Sequence, residues 1–111
     1  MQLDAVTALS GSGPAYVFYF IEAMIEAGMD MGLSREQAHK LAVCTFEGAS
    51  ALAKASDETP EILRARVTSK GGTTYTALTS MEQDRVKMLF MRAMHAARQR
   101  ARELGDEFGS T

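Results

Sequence analysis

The stretch SGSGPAYVFYFIEAMIEAGMDMGLSREQ, residues 10–37, decides the fold class. Val17, Phe18, Ile21, Met24, Ile25 and Gly28 recur at helical spacing, and Tyr16 and Phe20 widen the stripe they form. Ser12 is placed to cap this helix. Pro14 suits its first turn, where a missing N–H removes no bond. The helix is predicted to run to about Met31 and to stop at Gly32, with a loop ahead of it over residues 10–15. It is apolar around much of its circumference, so it must be covered on several sides. One short chain supplies too little cover, and an intertwined homodimer is the expected solution. A compact monomer with a well-buried central helix is the alternative.

Helices continue on the C-terminal side. Ser34 and Gln37 form a capping box that opens a helix over 35–55, with Ala38, Leu41, Ala42, Thr45, Ala49, Leu52 and Ala53 on one face. Thr59 and Pro60 start a short helix that reaches Val67. A further short helix is predicted over Thr74–Thr79. A second capping box, Ser80 with Gln83, is predicted to start the last helix. That helix carries Val86, Leu89, Phe90, Ala93, Met94, Ala97 and Ala101 on its stripe and is expected to end at Gly105, before a disordered tail. No segment sustains two-residue alternation, so the chain reads as all-α, and its 111 residues suggest one domain.

Composition narrows the function. A formal net charge of -2 argues against nucleic-acid binding. The basic cluster Arg92, Arg98, Arg100 and Arg102 reads as a solvated face near a helix C-terminus. A helix-turn-helix reading of residues 26–42 fails because the second helix is largely apolar and offers only Arg35 and Lys40 near its start. The run AYVFYFI (15–21) is too short to span a bilayer, so no membrane partner is expected. Cys44 is the single cysteine, which excludes an internal disulfide and fits a reducing cytoplasm. Its neighbours suggest a small buried hydrophobe. His39 and His95 each lack a second ligand at metal spacing, so no metal site is expected.

Two glycine loops break the helical pattern, SGSGPA (10–15) and TSKGGTT (68–74). Both lead into helices, where bare amides and the dipole favour a carboxylate or phosphate. Hydroxyls of Ser69, Thr73 and Thr74 add donors without adding charge. GSGPAY (11–16) is not a dinucleotide fingerprint, because Tyr16 stands at the third glycine position and no strand precedes it. SKGGTT (69–74) lacks the spacing of a P-loop. On these residues alone, helix-joining turns and anion sites both remain open.

DAVTALSGSGPAYVF (4–18) and VTSKGGTTYTAL (67–78) together resemble the C-terminal domain of the pyrroline-5-carboxylate reductase family. The similarity extends over roughly residues 3–105 and includes Pro60, Leu63, Val67, Thr68, Ser69, Gly72, Thr74, Ala77, Leu78 and Glu82. It implies an interlocked helical homodimer of the 6-phosphogluconate dehydrogenase C-terminal-like kind, with rings of dimers in some members. It also implies hydride transfer from NADH or NADPH to 1-pyrroline-5-carboxylate, giving L-proline. By the same resemblance, Ser69, Gly71, Gly72, Thr73 and Thr74 cradle the substrate carboxylate. Thr7 orients or protonates the imine nitrogen, and Ser12 and Val67 line the nicotinamide side. Lys70 departs from the family's usual proline, and Asp57 falls in a loop that is often polar in relatives. An N-terminal Rossmann half is expected in the complete enzyme and is absent from these 111 residues. This chain is therefore expected to be a segment that cannot turn over substrate alone. The competing expectation is a non-catalytic helical oligomerisation module whose glycine loops are only turns.

Overall fold

The computed structural model describes residues 2–108, and among them every regular element is helical. In order these are α1 (Gln2–Val6), a π-helical segment (Thr7–Gly11), α2 (Gly13–Asp30), α3 (Arg35–Ala55), α4 (Pro60–Arg66), α5 (Thr73–Gln83) and α6 (Val86–Phe108). They fall into two units: Met1–Val17 with Leu78–Thr111, and Phe18–Ala77. Residues 109–111, the end of the expected tail, lie outside the described residues. No helix among those described is long and apolar enough to cross a membrane.

In the Phe18–Ala77 unit, α2 ends as its sequence dictates. Gly32 takes φ +102°, and the amides of Gly32 and Leu33 donate back to Met29 O and Gly28 O, each at 3.0 Å. This double closure is a Schellman motif, which satisfies carbonyls that the helix end would otherwise leave open. Three residues on, the capping box forms in full: Gln37 N–H donates to Ser34 Oγ at 3.1 Å, and Ser34 N–H to Gln37 Oε1 at 3.0 Å. The tight reversal brings α3 onto α2. Ile25, Ala38 and Ala42 form the buried cluster, with Ile21 packed beside them. Gly28 permits this approach, since a Cβ there would stand 2.9 Å from that of Ala38. Farther along, Thr59 accepts the Ile62 N–H at 3.3 Å and caps α4, with Pro60 in the first turn.

The other unit is built on α6, which packs against the π-helical segment and α1. Its half-buried residues Val86, Phe90, Met94, Ala97 and Ala101 follow the expected stripe. The other predicted members, Leu89 and Ala93, are exposed.

Several expectations are corrected. The loop at 10–15 is largely helical: the chain winds through Thr7–Gly11 as a π turn, bends at Ser12 and enters α2. The Ser12 cap does not form, because Ser12 holds a helical backbone (φ -86°, ψ -13°) rather than the extended one a cap needs. Thr74–Thr79 is not separate from the next helix, for α5 runs through Ser80 to Gln83. Met81, Glu82 and Gln83 are good helix formers, and the Ser80 carbonyl accepts Asp84 N–H at 3.1 Å as an interior residue would. The break comes instead at Arg85, with φ +56°. Gly105 does not stop α6, since one glycine costs only about 1 kcal/mol relative to alanine. Cys44 is exposed, standing roughly 200° around α3 from buried Ala42.

The face predicted for α3 is split in the same way. Ala38 and Ala42 are buried against α2, while Leu41 (56% exposed) and Leu52 (54%) share a flank that α2 does not reach. On α2, Phe18 lies two turns ahead of Ile25 on the same side and is 63% exposed. The broad apolar stripe is thus only partly covered: Ile25 and Gly28 are buried and Tyr16, Phe20 and Ile21 half-buried, while Val17, Phe18 and Met24 stay exposed.

Candidate functional site

The segment after α4 is shaped by backbone bonds. Val67 caps α4, donating to Ala65 and Arg64 carbonyls, and its side chain is exposed. Thr68 spends its hydroxyl on Arg64 O at 2.6 Å. Ser69 then opens a four-residue turn that closes with Gly72 N–H donating to Ser69 O at 3.0 Å. Gly71, third in the turn, has φ +76°, the signature of a type II turn. Lys70 occupies the second position, where proline is common, and is exposed. Gly72 is required for a different reason. A Cβ on it would stand 2.5 Å from Ser69 Oγ and 3.2 Å from Ser69 O.

This turn delivers the chain into α5. The first α-helical bond is Thr76 N–H to Gly72 O at 3.0 Å, and the Thr76 hydroxyl bonds to the same carbonyl at 3.2 Å. The amides of Thr73, Thr74 and Tyr75 precede that bond, so no carbonyl one turn back is available to them. Thr68 and Thr76 have their hydroxyls engaged by backbone. Among the described residues no such bond engages those of Ser69, Thr73 and Thr74. Three hydroxyls and three helix-end amides therefore gather at one exposed helix start, with the positive end of the α5 dipole behind them. Chemically this is a set of neutral donors suited to a carboxylate.

Nearby, Arg66 pairs with Glu58 at 2.9 Å, which ties the end of α4 to the loop before it. Asp57 sits exposed in that loop.

Thr7 and Ser12 belong to the other unit. Thr7 begins the π-helical segment, and its hydroxyl donates to Leu3 O at 3.0 Å. Ser12 closes the segment, donating its N–H to Thr7 O at 2.9 Å, the five-residue reach that defines a π turn. One structural contributor is not visible in the sequence pattern. Tyr16 reads there only as part of an apolar stripe, yet its phenol donates to Ala8 O at 2.7 Å and its ring meets Phe90 edge-on at 5.5 Å. A tyrosine on a buried stripe needs a partner for its O–H, and that was the available signal.

Comparison with known proteins agrees with the motifs. The family model for pyrroline-5-carboxylate reductase dimerisation matches residues 1–104. The chain belongs to this family. It is 48% identical over 103 residues to the pyrroline-5-carboxylate reductase of Corynebacterium melassecola, a match covering 93% of this chain and 38% of that enzyme. The Pseudomonas aeruginosa pyrroline-5-carboxylate reductase is 47% identical over 108 residues, covering 97% of this chain and 40% of the enzyme. Among solved structures, Plasmodium falciparum pyrroline carboxylate reductase with NADP bound superposes with a TM-score of 0.90 at 40% identity, over 93% of this chain and 41% of that one. The chain thus spans about two fifths of the length of these reductase relatives.

Proposed function

We propose that this chain is the helical dimerisation and substrate-site domain of an NAD(P)H-dependent pyrroline-5-carboxylate reductase. In that enzyme a Rossmann domain would hold most of the cofactor, and the work would be done in the cytoplasm. The observation that carries the reading is the Ser69–Gly72 turn at the head of α5, where neutral donors converge. Ser69, Gly71, Gly72, Thr73 and Thr74 hold the substrate carboxylate there. The exposed apolar residues Phe18, Leu41 and Leu52 pack against a second copy, and such dimers can assemble further into rings.

Bound NAD(P)H would supply a hydride to the imine carbon. Ser12, small and polar, and Val67, an exposed aliphatic, suit contact with the amide and the flat face of a nicotinamide respectively. Thr7 orients the substrate nitrogen rather than protonating it. Its own proton is directed to Leu3 O, which leaves an oxygen lone pair to accept the N–H of a protonated imine. As the carbon gains hydride, the C=N pair passes to nitrogen and proline results, with no further proton required. The chain's contribution is to hold the anion and aim the imine, a matter of position more than of acid strength.

The scaffold reading accounts for the exposed apolar flanks and for Gly72 but leaves the idle hydroxyls of Ser69, Thr73 and Thr74 without a purpose. Kinetics of the full-length enzyme separate the two readings. Ser69→Ala and Thr74→Val should each raise KM for pyrroline-5-carboxylate about tenfold or more with kcat largely kept, the pattern of lost uniform binding. Unchanged KM in both variants would return the loop to a simple turn.

A further inference from the structure

The π-helical segment leaves one carbonyl without its helical donor. In an α-helix Ser12 N–H would bond to Ala8 O. Here it reaches past to Thr7 O at 2.9 Å. Ala8 is only 4% exposed, so water is a poor substitute. A buried carbonyl left unpaired is costly, and Tyr16 provides the missing donor at 2.7 Å. The phenol is aimed there by its ring, which stands at 86° against Phe90 of α6. Tyr16, Ala8, Ser12 and Phe90 all lie within one unit.

We propose that Tyr16 is a positioning residue: its hydroxyl holds Thr7–Gly11 in the π register and thereby fixes where Thr7 points. The functional half of this inference rests on the role given to Thr7 above. Two donors, Ser12 N–H and the Tyr16 phenol, suit the same acceptor in two different registers. With the phenol present, the amide is released to Thr7 O and the π turn stands. Without it, the amide is drawn back to Ala8 O and the segment tightens to an α turn. Losing one residue from the turn rotates what precedes it by about 100° relative to α2, and Thr7 moves with it.

Tyr16→Phe tests this in the full-length reductase, because it keeps the ring against Phe90 and removes only the hydroxyl. Light scattering first establishes that the variant keeps the wild-type assembly. Its crystal structure should show Ser12 N–H on Ala8 O. Its kcat should fall about tenfold or more, while KM for pyrroline-5-carboxylate changes less than about threefold, since the carboxylate loop is untouched. In a Thr7→Val background the same change should cost less than about twofold, because the group it positions is already gone. A π turn retained in Tyr16→Phe overturns the inference. So does an equal loss of kcat in both backgrounds, which is the mark of a purely structural role. If Thr7→Val alone keeps wild-type kcat, the role given to Thr7 fails, and the register assignment is still decided by the Ser12 bond in the Tyr16→Phe crystal.

Discussion

Gly72→Ala tests the proposed substrate loop at its tightest point. The new Cβ would stand 2.5 Å from Ser69 Oγ and 3.2 Å from Ser69 O. Rotation of the Ser69 side chain relieves the first contact and carries its hydroxyl away from the proposed cradle. The second is with backbone, so the carbonyl must yield by a few tenths of an ångström and strain the 3.0 Å bond that closes the turn. Overpacking costs about 1–3 kcal/mol in a core, and this exposed turn belongs near the lower end. Alanine is also a poorer residue than glycine ahead of a helix, which adds a few tenths. A total of about 1–1.5 kcal/mol corresponds to a melting shift of roughly 4–6 °C in a domain of this size, compared at fixed protomer concentration. Loss of one hydrogen bond to a charged ligand, worth about 1.5–3 kcal/mol, should raise KM about tenfold or more. The assays are thermal melts of this chain and steady-state kinetics of the full-length enzyme. In a Ser69→Ala background the Oγ contact is gone but the backbone contact remains, so the stability cost of Gly72→Ala should be largely kept while its effect on KM falls below about twofold. A Gly72→Ala variant that melts within 1 °C of wild type and keeps its KM would refute the turn geometry. An undiminished effect on KM in the Ser69→Ala background would refute the part assigned to the Ser69 hydroxyl.

Other variants probe the rest of the structure. Gly28→Ala forces a Cβ to 2.9 Å from buried Ala38, so despite alanine's better helix propensity it should destabilise by about 1–2 kcal/mol in denaturant unfolding; a stabilised variant would show that α2 and α3 are not this close. Arg85→Gly relieves a left-handed residue that costs about 1–2 kcal/mol and loosens the unfolded chain by somewhat less, so a melting rise of a few degrees is expected; a fall of similar size would contradict a sharp turn between α5 and α6. Thr7→Ser keeps the hydroxyl and should retain kcat within about threefold, whereas Thr7→Val should lose about tenfold or more; equal rates would remove Thr7 from the chemistry.

The parts of this fold legible in the sequence are those with local causes. Gly32, the Ser34–Gln37 box and the Thr59–Pro60 start act within one turn of the chain, and each forms as read. Ser80–Gln83 carries the same letters as a capping box but lies inside α5, because a cap needs extended backbone and nothing there interrupts the helix. The junction is set by Arg85, whose positive φ no residue preference announces. Burial on α3 depends on which neighbour is present: the Leu41 flank is as apolar as the Ala38 face, but only the latter meets α2. At the site, Gly71 and Gly72 were readable as special positions. Their distinct reasons, a left-handed φ and the close approach of Ser69, arise only in the folded turn. The π turn was hidden because its defining bond is one residue longer than the helical pattern from which sequence is read.

The most direct test is a crystal structure of the full-length reductase with L-proline and the oxidised cofactor. The proline carboxylate is expected at the head of α5, with its oxygens about 2.7–3.2 Å from the Thr73 and Thr74 amides and from hydroxyls of Ser69, Thr73 or Thr74. A carboxylate held elsewhere, with the Ser69–Thr74 loop empty of ligand, would contradict the assignment of this loop as the substrate cradle.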